Sequence, residues 1–165
     1  MFTLSTNIEL PIAHRLPEAY SGLCVGNISR DEKEIFPKDN LGIIHGHNYI
    51  VTFDISTDFM NNDFMVMDFK KIKKIIHNYM DQYDHSLILK KGDSLIDFYV
   101  EEYKKRNIDI NKTRLFVWDQ APTAEYMSYK WYKTFYSILK EQGINLTKLV
   151  ITVEETSHNK VSYTE

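Results

Sequence analysis

Two closely spaced histidines are the residues of this sequence with the clearest chemical potential. His45 and His47 flank Gly46, and in an extended segment two such side chains project to the same face, roughly 7 Å apart at Cα. Two imidazoles at this spacing can reach one metal ion, while a catalytic zinc needs a third protein ligand and keeps one position open. His14 is the candidate third ligand, because it lies near the end of a strand expected to pair with the one beginning at His47. Ordinary sheet histidines would show the same spacing, so both interpretations stay open at this point.

Other reactive side chains lie elsewhere in the sequence. Asp84 beside His85 can orient the imidazole for proton transfer, although such a pair also caps helix ends. Cys24, the only cysteine, becomes a nucleophile or base when a nearby cation or metal lowers its pKa, and is otherwise a small hydrophobe. Glu155 ends an alternating apolar strand, where it is either solvated or, if buried, able to accept two N–H donors from a flat heterocycle.

The composition limits the class of protein. With 165 residues, 43% of them hydrophobic and 26% charged, the chain is typical of one soluble domain spanning residues 1–165. The net charge of the chain is -3, whereas a nucleic-acid binder typically carries an excess of basic residues. A single cysteine cannot form an intrachain disulfide, which favours the reducing cytoplasm. No apolar run approaches the ~20 residues that span a bilayer, and the first residues lack a signal-peptide pattern. We therefore predict a cytoplasmic protein without a nucleic-acid or membrane partner.

Hydrophobic patterns predict the elements that position these residues. Loose alternation over the first fifteen residues and clear alternation from Gly46 to Phe59 predict two antiparallel strands. Apolar residues at helical spacing after Asp68 predict a first helix, with Asp68 as its N-cap and its lysines exposed. A second helix is predicted from Ala124 to Gln142, ended by Gly143.

Shorter segments complete the predicted order of elements. Ser94–Lys105 is predicted to form a third, shorter helix, and Arg114–Trp118 a short strand. Alternation returns in Leu146–Glu155 and Lys160–Thr164, which predicts two closing strands joined by a hairpin turn. The charged segment Ser29–Asn40 is typical of an exposed loop. The predicted class is α+β with an antiparallel sheet.

Six motifs follow one another over nearly the whole chain. They are Ala13-His14-Arg15-Leu16, His45-Gly46-His47-Asn48-Tyr49, Met65-Val66-Met67-Asp68-Phe69, Asp84-His85, Pro122-Thr123-Ala124-Glu125 and Val153-Glu154-Glu155-Thr156. In this order they resemble the zinc-dependent 6-pyruvoyl-tetrahydropterin synthase and 6-carboxytetrahydropterin synthase family. The resemblance implies the tunnelling fold, a four-stranded antiparallel sheet with two helices inserted between its second and third strands.

The resemblance also implies a role for each motif residue and an assembly. The implied zinc ligands are His14, His45 and His47, the implied catalytic triad is Cys24, Asp84 and His85, the implied pterin anchor is Glu155, and Thr123 and Glu125 are implied to line the pocket. Family members assemble as two stacked trimers. The resemblance therefore implies a homohexamer whose active sites are built by neighbouring subunits, with the Asp and His of the triad supplied across the interface.

The position of the cysteine departs from the family pattern. The family's cysteine usually stands a few residues before the His-Gly-His motif, whereas twenty residues separate Cys24 from His45. Cys24 does follow His14 by ten positions, close to the bacterial family spacing. We therefore infer that a loop of roughly residues 25–40 is inserted after Cys24. A variant branch of the family uses a glutamate near this position, for which the candidates are Glu18, Glu32 and Glu34.

The implied activity is that of a lyase-type pterin synthase acting on 7,8-dihydroneopterin triphosphate, a small-molecule substrate. The cysteine-bearing, bacterial-style sequence favours 6-carboxy-5,6,7,8-tetrahydropterin, a precursor in the deazaguanine (queuosine) pathway, as the product. Two other products stay open: the 6-pyruvoyl compound, and the hydroxymethyl pterin of the glutamate branch. A rival of another class is a catalytically inactive tunnelling-fold protein that binds zinc or a pterin without turnover, because a displaced Cys24 would remove the base.

Overall fold

The computed structural model describes residues 1–16, 44–62 and 64–165. Six strands lie in the described residues: β1 Phe2–His14, β2 His45–Thr57, β3 Ser86–Lys90, β4 Leu115–Trp118, β5 Lys148–Thr156 and β6 Asn159–Tyr163. Three α-helices accompany them: α1 Phe69–Met80, α2 Ser94–Lys105 and α3 Ala124–Glu141. The strands form one sheet in the order β4-β3-β1-β2-β5-β6. None of these helices is long and apolar enough to cross a membrane.

The sheet is larger than the predicted one, while the α+β class is confirmed. Four of the six strands match the predicted strands at the two ends of the chain, and β4 matches the predicted short strand, beginning one residue later. β3 was missed and pairs with β4 in parallel, from Leu87 opposite Leu115 to Lys90 opposite Trp118. The four-stranded antiparallel description is therefore incomplete, as is the count of two helices between β2 and β5. The physical reason is that β3 contains only three consecutive apolar residues, Leu87–Leu89, and no alternation, so periodicity cannot distinguish it from a piece of helix.

The described chain divides into two compact units. The first comprises residues 1–12, 47–85 and 123–165, and the second comprises the described part of 13–46 together with 86–122. In the first unit, β2 pairs with β5 in antiparallel register, with Val51 opposite Val153 and Phe53 opposite Ile151. All four of these side chains are fully buried. Phe53 packs edge-on against Phe135 of α3, with 4.7 Å between ring centroids. The apolar side chains that alternate along β2 and β5 thus lie in the core of this unit.

Helix boundaries in the first unit follow the predicted caps. The Asp68 side chain accepts a hydrogen bond of 2.8 Å from the backbone N–H of Lys70, at the start of α1. The buried stripe of α1 is Ile72, Ile76 and Met80. α3 ends one residue before the predicted limit, and Gly143 follows with φ +71, the left-handed conformation that glycine adopts without steric cost.

The second unit contains the predicted third helix and a buried ion pair. α2 spans Ser94–Lys105 as predicted. The Asp93 side chain caps it by accepting a hydrogen bond of 2.9 Å from the N–H of Leu95. Arg15 Nε lies 2.9 Å from Asp93 Oδ2, and both side chains are almost fully buried. The two atoms attract each other as opposite charges, but their geometry is not that of a hydrogen bond. This pair joins the residue after β1 to the start of α2.

Candidate metal and ligand site

Three histidines bring their ring nitrogens together at the ends of β1 and β2. One nitrogen each from His14, His45 and His47 lies within 4.8 Å of the others. The rings of His14 and His45 are 4.4 Å apart between centroids. Zinc binds imidazole nitrogen at 2.0–2.1 Å, so nitrogens that share one ion lie within about 4 Å of each other. The cluster is therefore close to the geometry that one ion requires, and the donor set suits zinc.

A backbone carbonyl orients the buried member of this cluster. His14 is fully buried, and its Nδ1 lies 2.8 Å from the carbonyl oxygen of Pro122. Because a carbonyl can only accept, Nδ1 carries the proton, and Nε2 is the nitrogen with the lone pair that a metal needs. Sequence reasoning missed this partner, since every residue offers a carbonyl and no side-chain pattern marks this one.

Glu155 lies beside His47 and receives a hydrogen bond from a buried tyrosine. The Tyr49 hydroxyl donates to Glu155 Oε1 at 3.1 Å, and His47 Nε2 is 3.4 Å from the same oxygen. Burial, together with the nearby Glu155 carboxylate that accepts this bond, raises the pKa of Tyr49 well above its usual range. The phenol therefore stays protonated and acts as a donor. From the sequence, Tyr49 was named only as part of the His-Gly-His motif, so this contact was also missed.

Asp84 and His85 contact each other just before β3. His85 Nδ1 lies 2.9 Å from Asp84 Oδ2, and the imidazole is 76% exposed. The backbone of His85 is left-handed, with φ 53, a conformation that costs a non-glycine residue about 1–2 kcal/mol. The backbone N–H of His85 donates a hydrogen bond of 2.8 Å to the carbonyl of Pro11, which helps to hold this conformation. An exposed imidazole oriented by a carboxylate is suited to proton transfer.

The two residues predicted to line the pocket have structural contacts on α3. The Thr123 hydroxyl caps the helix by accepting a hydrogen bond of 3.2 Å from the N–H of Tyr126. Glu125 is exposed in the first turn, where its carbonyl accepts from the Ser128 hydroxyl and its negative charge suits the helix N-terminus. Their substrate contacts stay predictions.

The remaining predicted residues lie outside the described part of the chain. They are Cys24, the three glutamate candidates Glu18, Glu32 and Glu34, and the insertion inferred at residues 25–40. The place of the cysteine relative to the histidine cluster stays a prediction.

Comparison of the sequence with known proteins gives a matching family and similar chains. A family model described as 6-pyruvoyl tetrahydropterin synthase matches residues 3–165. A curated relative from Aquifex aeolicus, named 6-carboxy-5,6,7,8-tetrahydropterin synthase, is 26% identical over 124 residues, which is 74% of each chain.

Two solved structures share the fold. An uncharacterised protein from Wolinella succinogenes superposes with a TM-score of 0.70 at 14% identity, over 98% of this chain and 97% of that one. The 6-pyruvoyl tetrahydropterin synthase of Caenorhabditis elegans superposes with a TM-score of 0.58 at 23% identity, over 99% and 95% of the two chains. At these identities the likeness shows the fold.

Proposed function

Because the chain belongs to the 6-pyruvoyl tetrahydropterin synthase family, and is thus a lyase-type pterin synthase, we propose that it is zinc-dependent and acts on 7,8-dihydroneopterin triphosphate. The proposed product is 6-carboxy-5,6,7,8-tetrahydropterin, a precursor of the deazaguanine (queuosine) pathway. The observation that carries the proposal is the convergence of His14, His45 and His47 beside a carboxylate suited to a pterin ring. The name of the Aquifex aeolicus relative favours the carboxy product.

The proposed metal ligands are His14, His45 and His47, with His14 bound through Nε2. Zinc bound there would polarise the substrate's side-chain oxygens and make the neighbouring C–H and O–H protons easier to remove. The carbonyl of Pro122 keeps the His14 ring in the required tautomer.

Glu155 is the proposed anchor of the pterin ring. Its carboxylate would accept two N–H donors of the flat heterocycle, a charge-assisted pair that fixes orientation as well as affinity. The neighbouring His47 sets the anchor beside the metal ligands, so a ring held by Glu155 would present its side chain toward them. Thr123 and Glu125 are proposed to line the rest of the pocket.

Asp84 and His85 are the proposed proton-transfer pair. The Asp84 carboxylate lies 2.9 Å from Nδ1 of His85 and would orient the ring, which leaves Nε2 to take up and return a proton. We propose that the Cys24 thiolate is the base that completes the triad. A neighbouring subunit of a homohexamer would bring this pair to the site.

The proposal is tested by incubating the purified protein with zinc and 7,8-dihydroneopterin triphosphate and identifying the pterin by mass spectrometry. We expect the 6-carboxy product, and we expect Cys24→Ala to abolish its formation. Unchanged substrate would refute the enzymatic proposal, and full activity of Cys24→Ala would refute the role of the thiolate.

Two other outcomes correspond to the alternatives. The 6-pyruvoyl or the hydroxymethyl product would place the chain in another branch of the family, and for the second of these Glu18, Glu32 and Glu34 are the candidate bases. Bound zinc without turnover would favour an inactive protein that binds zinc or a pterin.

We further propose that residues 1–165 act as one domain, supported by a family match that runs from residue 3 to residue 165. The proposed assembly is a homohexamer of two stacked trimers, and the proposed location is the cytoplasm. A small-molecule pterin triphosphate is the proposed partner, with no role for nucleic acid or a membrane.

A further inference from the structure

Tyr49 and Glu155 face each other across two paired strands. β2 and β5 pair with Val51 opposite Val153 and Ile50 opposite Glu154, and continuing this register by one step sets Tyr49 opposite Glu155. Directly opposed residues on one face of an antiparallel pair are close enough to interact. The Tyr49 hydroxyl donates to Glu155 Oε1 at 3.1 Å.

The two partners differ in how firmly the fold holds them. Tyr49 is completely buried in the core of the first unit, so its ring has a single position set by packing. The Glu155 side chain is 29% exposed and has three rotatable bonds, whose freedom is lost when it binds a ligand. A fixed donor that already orients the carboxylate reduces this loss, which is how preorganisation raises affinity.

We propose that Tyr49 is a positioning residue that holds Glu155 in the conformation in which it binds the pterin ring. The inference rests on the proposed function, in which Glu155 is the anchor. The Tyr49 hydroxyl reaches Oε1, the same oxygen that lies 3.4 Å from His47 Nε2. The Tyr49 ring also packs edge-on against the His47 ring, with 5.5 Å between centroids, so the proposal concerns the hydroxyl, which would act on the ligand through Glu155.

The test measures binding of neopterin, a pterin without the triphosphate, by fluorescence titration of the zinc-loaded protein. Tyr49→Phe keeps the ring and removes only the hydroxyl. We expect its Kd for neopterin to rise about 10-fold, at the low end of what a hydrogen bond to a charged group contributes, with unchanged zinc content. The matched control is Tyr83→Phe, which removes another buried hydroxyl of the same unit, one that contacts Tyr79 at 3.4 Å. We expect its Kd to stay within about two-fold of wild type.

A double-mutant cycle separates positioning from a general effect on folding. In a Glu155→Ala background, Tyr49→Phe is expected to cause no further change in Kd, because the group through which it acts is gone. An equal rise in both backgrounds, or an unchanged Kd for Tyr49→Phe alone, would overturn the inference. Wild-type protein that does not bind neopterin would overturn it together with the anchor role of Glu155, whereas binding without turnover would refute only the synthase activity.

Discussion

At the scale of single residues, burial and partners separate the histidines of this chain. His14 is buried and donates to a backbone carbonyl, which leaves it in the tautomer of a metal ligand. His85 is exposed and held by a neighbouring carboxylate, an arrangement suited to carrying a proton. His77, on the outer face of α1, pairs with Asp81 one helical turn later, as surface residues commonly do. The same residue type thus has three settings, and each suits different chemistry.

The histidine cluster predicts the metal content of the protein. We expect His45→Ala to lose bound zinc, because two imidazoles hold the ion far less tightly than three. His45 is preferred to His14 for this test because it is only partly buried, so its loss disturbs packing less. Elemental analysis after dialysis is the measurement.

The control for this experiment is His77→Ala, which removes an exposed histidine from α1. It should keep the wild-type ratio of zinc to protein. Equimolar zinc in His45→Ala would contradict the assignment of the cluster.

At the scale of elements, polar side chains at helix starts connect segments that are distant in sequence. Asp93 caps α2 with one carboxylate oxygen and meets Arg15 with the other. Since Arg15 directly follows His14, this ion pair ties the end of β1, and with it a proposed metal ligand, to the start of α2. At α3, Thr123 caps the helix immediately after Pro122, whose carbonyl holds His14.

The buried ion pair predicts a large loss of stability on substitution. Arg15→Ala leaves Asp93 buried without its countercharge, and such changes typically lower the free energy of unfolding by about 3–5 kcal/mol. Urea unfolding followed by circular dichroism measures the change. Arg106→Ala is the matched control, because it removes an exposed arginine from its pair with Glu102, and such surface pairs contribute roughly 0–1 kcal/mol. Equal losses for the two variants would show that the Arg15 pair is no more important than a surface contact.

The cap of α3 allows the structural and substrate roles of Thr123 to be separated. Thr123→Ala should lower the free energy of unfolding by about 1 kcal/mol, whereas Thr123→Asn, which also caps well, should preserve it. If Thr123 also contacts substrate, Thr123→Asn raises KM despite its stable fold. Thermal unfolding and steady-state kinetics on the same samples decide between these outcomes, and wild-type KM in Thr123→Asn would leave only the capping role.

At the scale of the whole molecule, β6 forms one end of the described sheet. Among the described strands its one hydrogen-bonded neighbour is β5, and β6 is short, with five residues. An edge strand presents unpaired backbone groups that can join a strand of another chain. The β6 edge is therefore suited to a subunit contact of the proposed hexamer.

The proposed assembly predicts a particle mass. Light scattering after size exclusion, at micromolar concentration, should give six times the chain mass of 19.5 kDa. Dilution or moderate salt should change this mass little if strand pairing and apolar contacts hold the subunits together, because salt screens mainly exposed charges. A mass of one chain under these conditions would contradict the hexamer.

The sequence by itself determined the parts of this protein that depend on local patterns. The period of apolar residues located the start of α1 and both ends of α3 to within one residue, and alternation identified β2 and β5 as strands. The His45-Gly46-His47 motif and the neighbouring motifs pointed to the family, which the match over residues 3–165 shows. A local pattern is readable because the residues that must cooperate lie within one or two turns of each other.

Only the tertiary structure decided which distant groups meet. The parallel pairing of β3 with β4, the carbonyl that orients His14 and the hydroxyl that reaches Glu155 have no local signature. His14 and Pro122 are 108 positions apart, and Tyr49 and Glu155 are 106 apart. Burial requires each of these polar groups to have a partner, but it does not specify which one, because that depends on how the elements pack. The sequence had already singled out motif residues such as His14 and Glu155, and the chain topology decided which groups contact them.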